Sequence, residues 1–357
     1  MPTVLRICLV IAFLSAGLAL PAAPAAQAAG SVCDPDGTQT SGAVYRLCMP
    51  TGPWNGDLVV YAHGYVAYNE PIAIPEDQLS IDGGPSVPEI VNGLGYAFAT
   101  TSYRVNGLAV RQGSEDLLDL VDVFRATYGG PARIYLVGPS EGGVITALLL
   151  EQYPQVFAGA LSACGPVGSF RGQINYWGDA RVLFDYYFPG LLPGDATEVP
   201  QEVIDNWDSV YAPLLEAQLR GQPARRQAWM EVAHIPDNPL NLDQTVEGLM
   251  DLLWYNAFAT NDGIVKLGGQ PFDNSRRWYR GSDNDLLLNS LVPRYSADPA
   301  AVAEMESYYQ TSGLLQKPIV MLHSADPLIP FWHEPLYTLA VNRQGSADLH
   351  TSLPALR

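Results

Sequence analysis

The sequence predicts an α/β protein, with a mostly parallel β-sheet flanked by helices. It also predicts a large, mainly helical cap inserted before the strand that carries Asp326. Short apolar runs end at Gly, Ser or Asp, as strands buried on both faces of a parallel sheet do. Helical segments alternate with these runs. About 150 residues separate the run 157–165 from the run 317–326, too many for a loop without structure of its own.

The chain begins with the features of a signal peptide. Arg6 precedes an apolar run over residues 7–20, and small residues follow at 26–28. The apolar run is too short to span a bilayer comfortably. We therefore expect cleavage near Ala28 and secretion without a stable membrane anchor, since a lipid anchor would need a cysteine directly after the small residues.

The predicted organisation divides the chain into four parts. The signal peptide covers 1–28, the first part of the α/β core 29–165, the inserted helical cap 166–314 and the C-terminal part of the core 315–357. The cap as a separate helical domain is the alternative. It is less favoured because the strands on either side of it have to rejoin one sheet.

The elements follow in order along the chain. Residues 43–50 suit an outer strand, and a helix over 114–130 would be capped by Ser114 and ended by Gly129-Gly130. A second helix over 142–154 ends near Pro154. The buried strands are predicted over 57–65, 96–104, 133–138, 157–165 and 317–326, and helices of the cap over 202–221 and 242–259.

The net charge and the cysteines narrow the range of expected partners, disulfides and cofactors. The formal net charge of −18 opposes binding to nucleic acid or an anionic membrane through a basic patch. In an oxidising compartment, Cys33 and Cys48 are expected to form a disulfide, leaving Cys164 unpaired. Histidines and cysteines lack metal-ligand spacing and no Gly-x-Gly-x-x-Gly follows a strand, so no metal or cofactor is expected.

The strongest chemical signal is the turn Gly138-Pro139-Ser140-Glu141-Gly142, which lies between a predicted strand and a predicted helix. A sharp turn at this point lifts the serine oxygen clear of the sheet, and small residues two positions before and after it avoid steric clash. The start of the following helix favours developing negative charge. The pattern predicts a nucleophilic serine.

With this turn, the chain from about Ala43 onward resembles the α/β-hydrolase superfamily. The resemblance implies that Ser140 is the nucleophile of an acyl-transfer reaction. It also implies an oxyanion hole formed by the backbone N–H groups of Glu141 and Tyr65, the latter in a His-Gly loop at 63–65. His63 itself would support that loop rather than act as the base.

The acid and the base should follow the cap in this order. Asp326, in Asp-Pro-Leu-Ile-Pro after an apolar strand, resembles the acid of the family, whereas His323 on that strand is expected to be packed in the core. His333 follows the acid too soon, which leaves His350 as the candidate base. His350 nevertheless precedes the last strand instead of following it, so a continuation beyond Arg357 that carries the histidine and a cysteine is the open alternative.

The interpretation that follows is a secreted serine hydrolase acting on a small-molecule or polymer carboxylic ester. An aminopeptidase-like enzyme of the same fold is one alternative, with Glu141 holding a substrate amine. A catalytically inactive binding member is another. Aromatic residues of the cap suggest a bulky or apolar substrate, or else core packing; they are Trp177, Tyr186, Tyr187, Trp207, Trp229, Trp254 and Tyr255.

Overall fold

The computed structural model describes residues 31–238, 240–324 and 327–353. The predicted signal peptide lies outside the described residues. The described residues form two compact units, one within Met1–Ser169, Tyr309–Ser324 and Phe331–Arg357, and the other within Phe170–Tyr308 and Ala325–Pro330. The assignment of residues 166–314 to an inserted cap domain stays a prediction.

A single mixed sheet organises the first unit. The described strands are β1 Ser31–Cys33, β2 Gly37–Thr38, β3 Val44–Pro50, β4 Asp57–Tyr61, β5 Ala97–Thr101, β6 Arg133–Pro139, β7 Gly159–Ala163, β8 Ile319–Leu322 and β9 His350–Leu353. They follow the order β1-β3-β5-β4-β6-β7-β8-β9, with β2 paired to β3. Neighbouring strands from β5 through β4, β6, β7 and β8 to β9 are parallel, whereas β1, β2 and β5 pair with β3 antiparallel.

The sheet core explains the apolar runs. Every residue of β5 is buried, as expected for a strand covered on both faces. Helices from the first unit pack beside the strands. The predicted α/β class, with a mostly parallel sheet flanked by helices, is confirmed. These helices are α1 Val87–Gly93, α2 Val110–Tyr128, α3 Glu141–Gln152 and α11 His333–Arg343.

The start of α2 differs from the prediction. The helix begins at Val110, and its N-cap Ala109 makes no side-chain capping bond. Ser114 lies inside the helix, where its Oγ donates to the Val110 carbonyl oxygen at 2.7 Å. The prediction that Ser114 caps this helix is therefore wrong. Ser114 has the side chain of a capping residue, and the residues before it show no obvious signal for a helix start. The predicted stop is confirmed, since Gly129 follows the helix with φ 89°.

The second unit is mainly helical. The predicted helix over 202–221 is broken there by a π-helical turn at Trp207–Tyr211, next to Pro213 in the first turn of the following helix. The predicted helix from 242 extends through Leu267. The helices of this unit are α4 Phe170–Tyr187, α5 Gln201–Asp205, α6 Ala212–Gly221, α7 Pro223–Ala233, α8 Leu242–Leu267, α9 Asp285–Leu291 and α10 Pro299–Tyr308.

The cysteines agree with the prediction in one case and not in the other. Cys33 and Cys48 are partners in the β1–β3 register and form the predicted disulfide. The expectation that Cys164 is unpaired is wrong, because none of the described cysteines is free. Among the described helices, none combines the length and apolarity needed to cross a membrane.

Candidate active site

Ser140 occupies a strained turn between β6 and α3. Its φ of 55° and ψ of −123° lie in a region that non-glycine residues rarely adopt, at a cost of about 1–3 kcal/mol. The Ser140 N–H donates to the Ala163 carbonyl at 2.8 Å, and the Ser140 carbonyl accepts from the Gly143 N–H at 2.9 Å. Neighbouring backbone therefore holds the serine in this conformation.

Glycines make that turn possible. A Cβ on Gly142 would collide with the carbonyl oxygen of Ala62, and a Cβ on Gly138 would collide with the carbonyl oxygen of Gly142. After the next strand, a Cβ on Gly165 would lie 2.8 Å from the Gly143 carbonyl carbon. The small residues predicted on either side of the serine are thus required by close backbone approach.

Glu141 opens α3 and is buried. Its backbone N–H belongs to the first helical turn, where N–H groups point away from the helix and the macrodipole favours negative charge. Its carboxylate Oε1 accepts a hydrogen bond from the Ala109 N–H at 2.7 Å. This side chain therefore helps to tie α3 to the start of α2, which does not favour a role in holding a substrate amine.

The His-Gly loop follows β4, the strand beside β6 in the sheet. Buried Gln78 holds it: the Gly64 N–H donates to Gln78 Oε1 at 2.7 Å, and Gln78 Nε2 donates to the Tyr65 carbonyl at 3.1 Å. The Ala62 and His63 carbonyls lie against Gly142. The loop and the serine turn are thus neighbours, as an oxyanion hole built from both would require, and Tyr65 as its second donor stays a prediction.

His63 has the contacts of a structural residue. Its ring is buried and stacks on Tyr103 with centroids 3.9 Å apart, and the Tyr103 hydroxyl donates to the His63 carbonyl at 3.0 Å. Nδ1 lies 2.6 Å from the Gly64 carbonyl oxygen. Burial lowers the pKa of His63 to about 4, so the ring is neutral at pH 7.

Two further histidines lie at or after the end of β8. His333 is buried, and its Nδ1 accepts from the Gly168 N–H at 3.0 Å, which fixes it as an anchor for that backbone. Burial holds the pKa of His333 well below its usual value. His323 is fully buried, as predicted, with Nδ1 3.5 Å from Glu334 Oε1; Glu334 Oε2 accepts from Ser352 Oγ at 2.9 Å.

His350 does not lie beside the serine. His350 is the first residue of β9 and pairs with Ile319 of β8. Across the sheet this position is level with Leu136 of β6, whereas Ser140 follows Pro139, the last residue of β6. β9 is three strands from β6. At about 3.3 Å per residue and 4.8 Å per strand, His350 is more than 10 Å from Ser140 along the strands and about 14 Å across them. The described strand register therefore does not bring His350 and Ser140 together, and the role of His350 as the base stays a prediction.

Asp326 lies outside the described residues, so its role stays a prediction. The segment that directly follows Asp326 belongs to the second unit, where side chains of α4 donate hydrogen bonds to it. The Leu328 carbonyl accepts from Gln173 Nε2 and from Trp177 Nε1, both at 2.9 Å, and the Pro327 carbonyl accepts from the Tyr176 hydroxyl at 2.5 Å. Three side-chain donors on consecutive turns of α4 thus fix the C-terminal half of the predicted acid loop.

Comparisons with known proteins give similarities to solved structures. No protein-family model and no curated protein sequence matches the chain. Solved structures with a similar chain course include the rice cell wall degrading esterase LipA from Xanthomonas oryzae, with 14% identity, 96% of this chain and 86% of that chain covered, and a TM-score of 0.47.

Two other similar structures come from Pyrococcus furiosus and Pyrococcus horikoshii. The Pyrococcus furiosus esterase PF2001 has 11% identity and a TM-score of 0.43, with 95% of this chain and 86% of that chain covered. The Pyrococcus horikoshii acylaminoacyl peptidase has 10% identity and a TM-score of 0.44, with 93% of this chain covered; this chain spans only 38% of the peptidase. Identities this low do not determine the activity or substrate of the present chain.

Proposed function

We propose that this chain is a secreted serine hydrolase that cleaves a carboxylic ester through an acyl-enzyme on Ser140. The observation that carries the proposal is the strained backbone of Ser140, which close-packed glycines hold between β6 and α3. Strain of this kind persists only where surrounding structure imposes it, and it is concentrated at functional sites.

The proposed reaction has two steps. Ser140 Oγ attacks the ester carbonyl, and the backbone N–H groups of Glu141 and Tyr65 stabilise the oxyanion. The alcohol leaves, and water then releases the acid from the acyl-enzyme. In this proposal Asp326 orients the histidine that takes the serine proton.

An alkoxide is a better leaving group than an amine, which leaves only when a general acid protonates it. Ester cleavage is therefore the less demanding reaction for the proposed Ser140 site, and we propose it over amide cleavage. The Glu141 carboxylate, engaged by Ala109, gives the aminopeptidase hypothesis no specific support.

The aromatic residues of the second unit do not identify the substrate. Trp229, Trp207 and Tyr255 are buried, and Trp229 donates to the Ala180 carbonyl at 2.8 Å. Trp254 stacks on Phe258 with centroids 4.7 Å apart. Core packing explains these side chains, so the acyl group of the ester stays open.

A fluorophosphonate probe tests the proposal, because it labels only an activated serine. We expect stoichiometric labelling of the 357-residue chain and none of Ser140→Ala. An unlabelled wild-type chain that is folded by circular dichroism would overturn the proposal in favour of a binding protein. In a labelled chain, single His→Asn replacements at 63, 234, 323, 333 and 350, each read by labelling rate and melting temperature, would identify the base.

Substrate class is tested separately. We expect turnover of p-nitrophenyl esters of increasing chain length and rates at least about a hundredfold lower on aminoacyl p-nitroanilides, with Ser140→Ala as the control in both series. Amide hydrolysis at a rate comparable with ester hydrolysis would instead establish the peptidase alternative.

A further inference from the structure

The second unit contains a cavity of about 500 Å³ whose lining is rich in hydrogen-bond donors. This volume suits a small molecule. The cavity lies between one face of α4 and the loop that follows α8 and Gly268. Its lining residues are Arg171, Asn175, Asp273, Ser275, Arg276 and Arg277.

The loop is fixed against α4 by residues on one face of that helix. Arg171, Asn175 and Asp179 are spaced four residues apart, so they form a single row along α4. The Asp273 N–H donates to Asn175 Oδ1 at 2.9 Å, and Asp179 forms an ion pair with Arg277. The cavity walls are thus held in place by the protein itself.

Two of the three guanidinium groups have donors to spare. Among the described residues, Arg276 has no hydrogen bond or ion pair, and Arg171 approaches only Asp273 Oδ2, at 3.7 Å. Asn175 accepts with its Oδ1, so its NH2 group is left as a further donor. These donors belong to a chain whose net charge is −18, in which an uncompensated group of arginines is unusual.

The single carboxylate of the lining is already occupied. Asp273 Oδ1 accepts from the Ser275 N–H at 3.0 Å and from Ser275 Oγ at 2.8 Å, and these bonds together with Arg171 keep the pKa of Asp273 below its usual value. Even with Asp273 ionised and Arg277 paired to Asp179, Arg171 and Arg276 leave the cavity with an excess of positive charge.

We propose that this cavity binds an oxyanion, either the carboxylate or the phosphate group of a small ligand, through Arg171, Arg276 and the Asn175 amide. Guanidinium forks match both groups in a bidentate manner. The site is independent of the proposed hydrolysis at Ser140, and it would stand if that proposal failed.

Calorimetric titration of the full chain at low ionic strength tests the proposal, with inorganic phosphate in one arm and acetate in the other. We expect saturable binding of at least one anion; the arm that binds more tightly identifies the chemical group. Arg171→Gln/Arg276→Gln should weaken binding at least tenfold. Arg225→Gln, which removes an exposed arginine of α7, should leave it unchanged.

Asp273→Asn provides a variant with the opposite effect. The asparagine keeps an acceptor for Ser275 while removing the negative charge, so binding should tighten several-fold. Melting temperatures of all variants establish that they fold. Absence of saturable binding by the wild type, equal binding by the double variant, or weaker binding by a folded Asp273→Asn variant would each overturn the proposal.

Discussion

At the scale of single residues, the conformation of Ser140 depends on neighbours that have no side chain. The Ala62 carbonyl occupies the space that a Cβ on Gly142 would need. An added methyl group must therefore push the Ala62 backbone and the serine turn apart, and a shift of the serine turn strains the hydrogen bond from the Ser140 N–H to the Ala163 carbonyl. The serine geometry and the stability of the fold are consequently coupled at this point.

We therefore expect Gly142→Ala to lower the free energy of unfolding by about 2 kcal/mol or more and to abolish probe labelling. Gly130→Ala is the matched control, since Gly130 is exposed and no atom lies within 4 Å of its added Cβ. It should change stability by less than about 0.5 kcal/mol. Urea unfolding and fluorophosphonate labelling measure both effects, and a labelled, stable Gly142→Ala chain would contradict this coupling.

Buried His63 gives the protein a defined sensitivity to acid. Its pKa is about 4 in the fold, against 6.5 for an ordinary histidine. The unfolded chain therefore binds a proton between these values while the folded chain does not. The stability that the neutral ring provides is complete above pH 6.5 and is lost as the pH falls toward 4, by up to about 3 kcal/mol.

His63→Asn should accordingly be less stable at pH 7, because stacking on Tyr103 is lost, but its stability should fall less between pH 6.5 and 4. The control is His234→Asn, which replaces an exposed histidine with left-handed backbone, a conformation that asparagine tolerates. Urea unfolding at several pH values measures how the free energy of unfolding depends on pH in each variant. The same dependence in wild type and His63→Asn would show that His63 is not the source of the acid sensitivity.

At the scale of elements, the His-Gly loop owes its position to one residue of a short 3₁₀ turn, Glu76–Gln78. Gln78→Ala would leave the Gly64 N–H and the Tyr65 carbonyl without their buried partner, which costs about 1–3 kcal/mol. If Tyr65 is an oxyanion donor, probe labelling should also slow at least about tenfold. Ser80→Ala, which removes an exposed hydroxyl bonded to Glu76 beside the same turn, should alter neither quantity.

The elements also show what a sequence can reveal. Strands such as β5 were predictable because burial on both faces requires an uninterrupted apolar run. Ser140 and its glycines were predictable because the turn is local, so its steric demands fall on adjacent residues. Gln78 was missed because it acts on a loop 13 and 14 residues away and is not set apart by composition.

The placement of His350 relative to Ser140 could not be predicted for a related reason. Its order in the chain suited a catalytic base, but its distance from Ser140 depends on the pairing register of β8 with β9. Register arises from contacts between strands that are remote in sequence, and a strand running from His350 to Leu353 places its first residue at the far end of the sheet. The same limitation hid Glu334, whose contact with His323 exists only after α11 folds back.

At the scale of the whole molecule, the dominant electrostatic feature is an excess of acidic groups. The chain has 37 acidic and 19 basic side chains, so 18 carboxylates stay without a cationic partner even if every Lys and Arg pairs once. Individual ion pairs, such as Arg220 with Glu216 and Asp243, are exposed, so solvent screens them and each contributes little to stability. We therefore expect mutual repulsion among the unpaired carboxylates to outweigh these attractions and to oppose the compact state.

Added salt should therefore stabilise this protein rather than weaken it. At about 0.5 M NaCl the Debye length is only about 4 Å, which screens repulsion between distant carboxylates while close pairs keep part of their attraction. We expect the melting temperature at pH 7 to rise by about 2–4 °C between roughly 0.02 and 0.5 M NaCl. Choline chloride should have the same effect if screening, not sodium binding, is the cause. A melting temperature that falls with either salt would mean that ion pairs such as those of Arg220 outweigh the net charge.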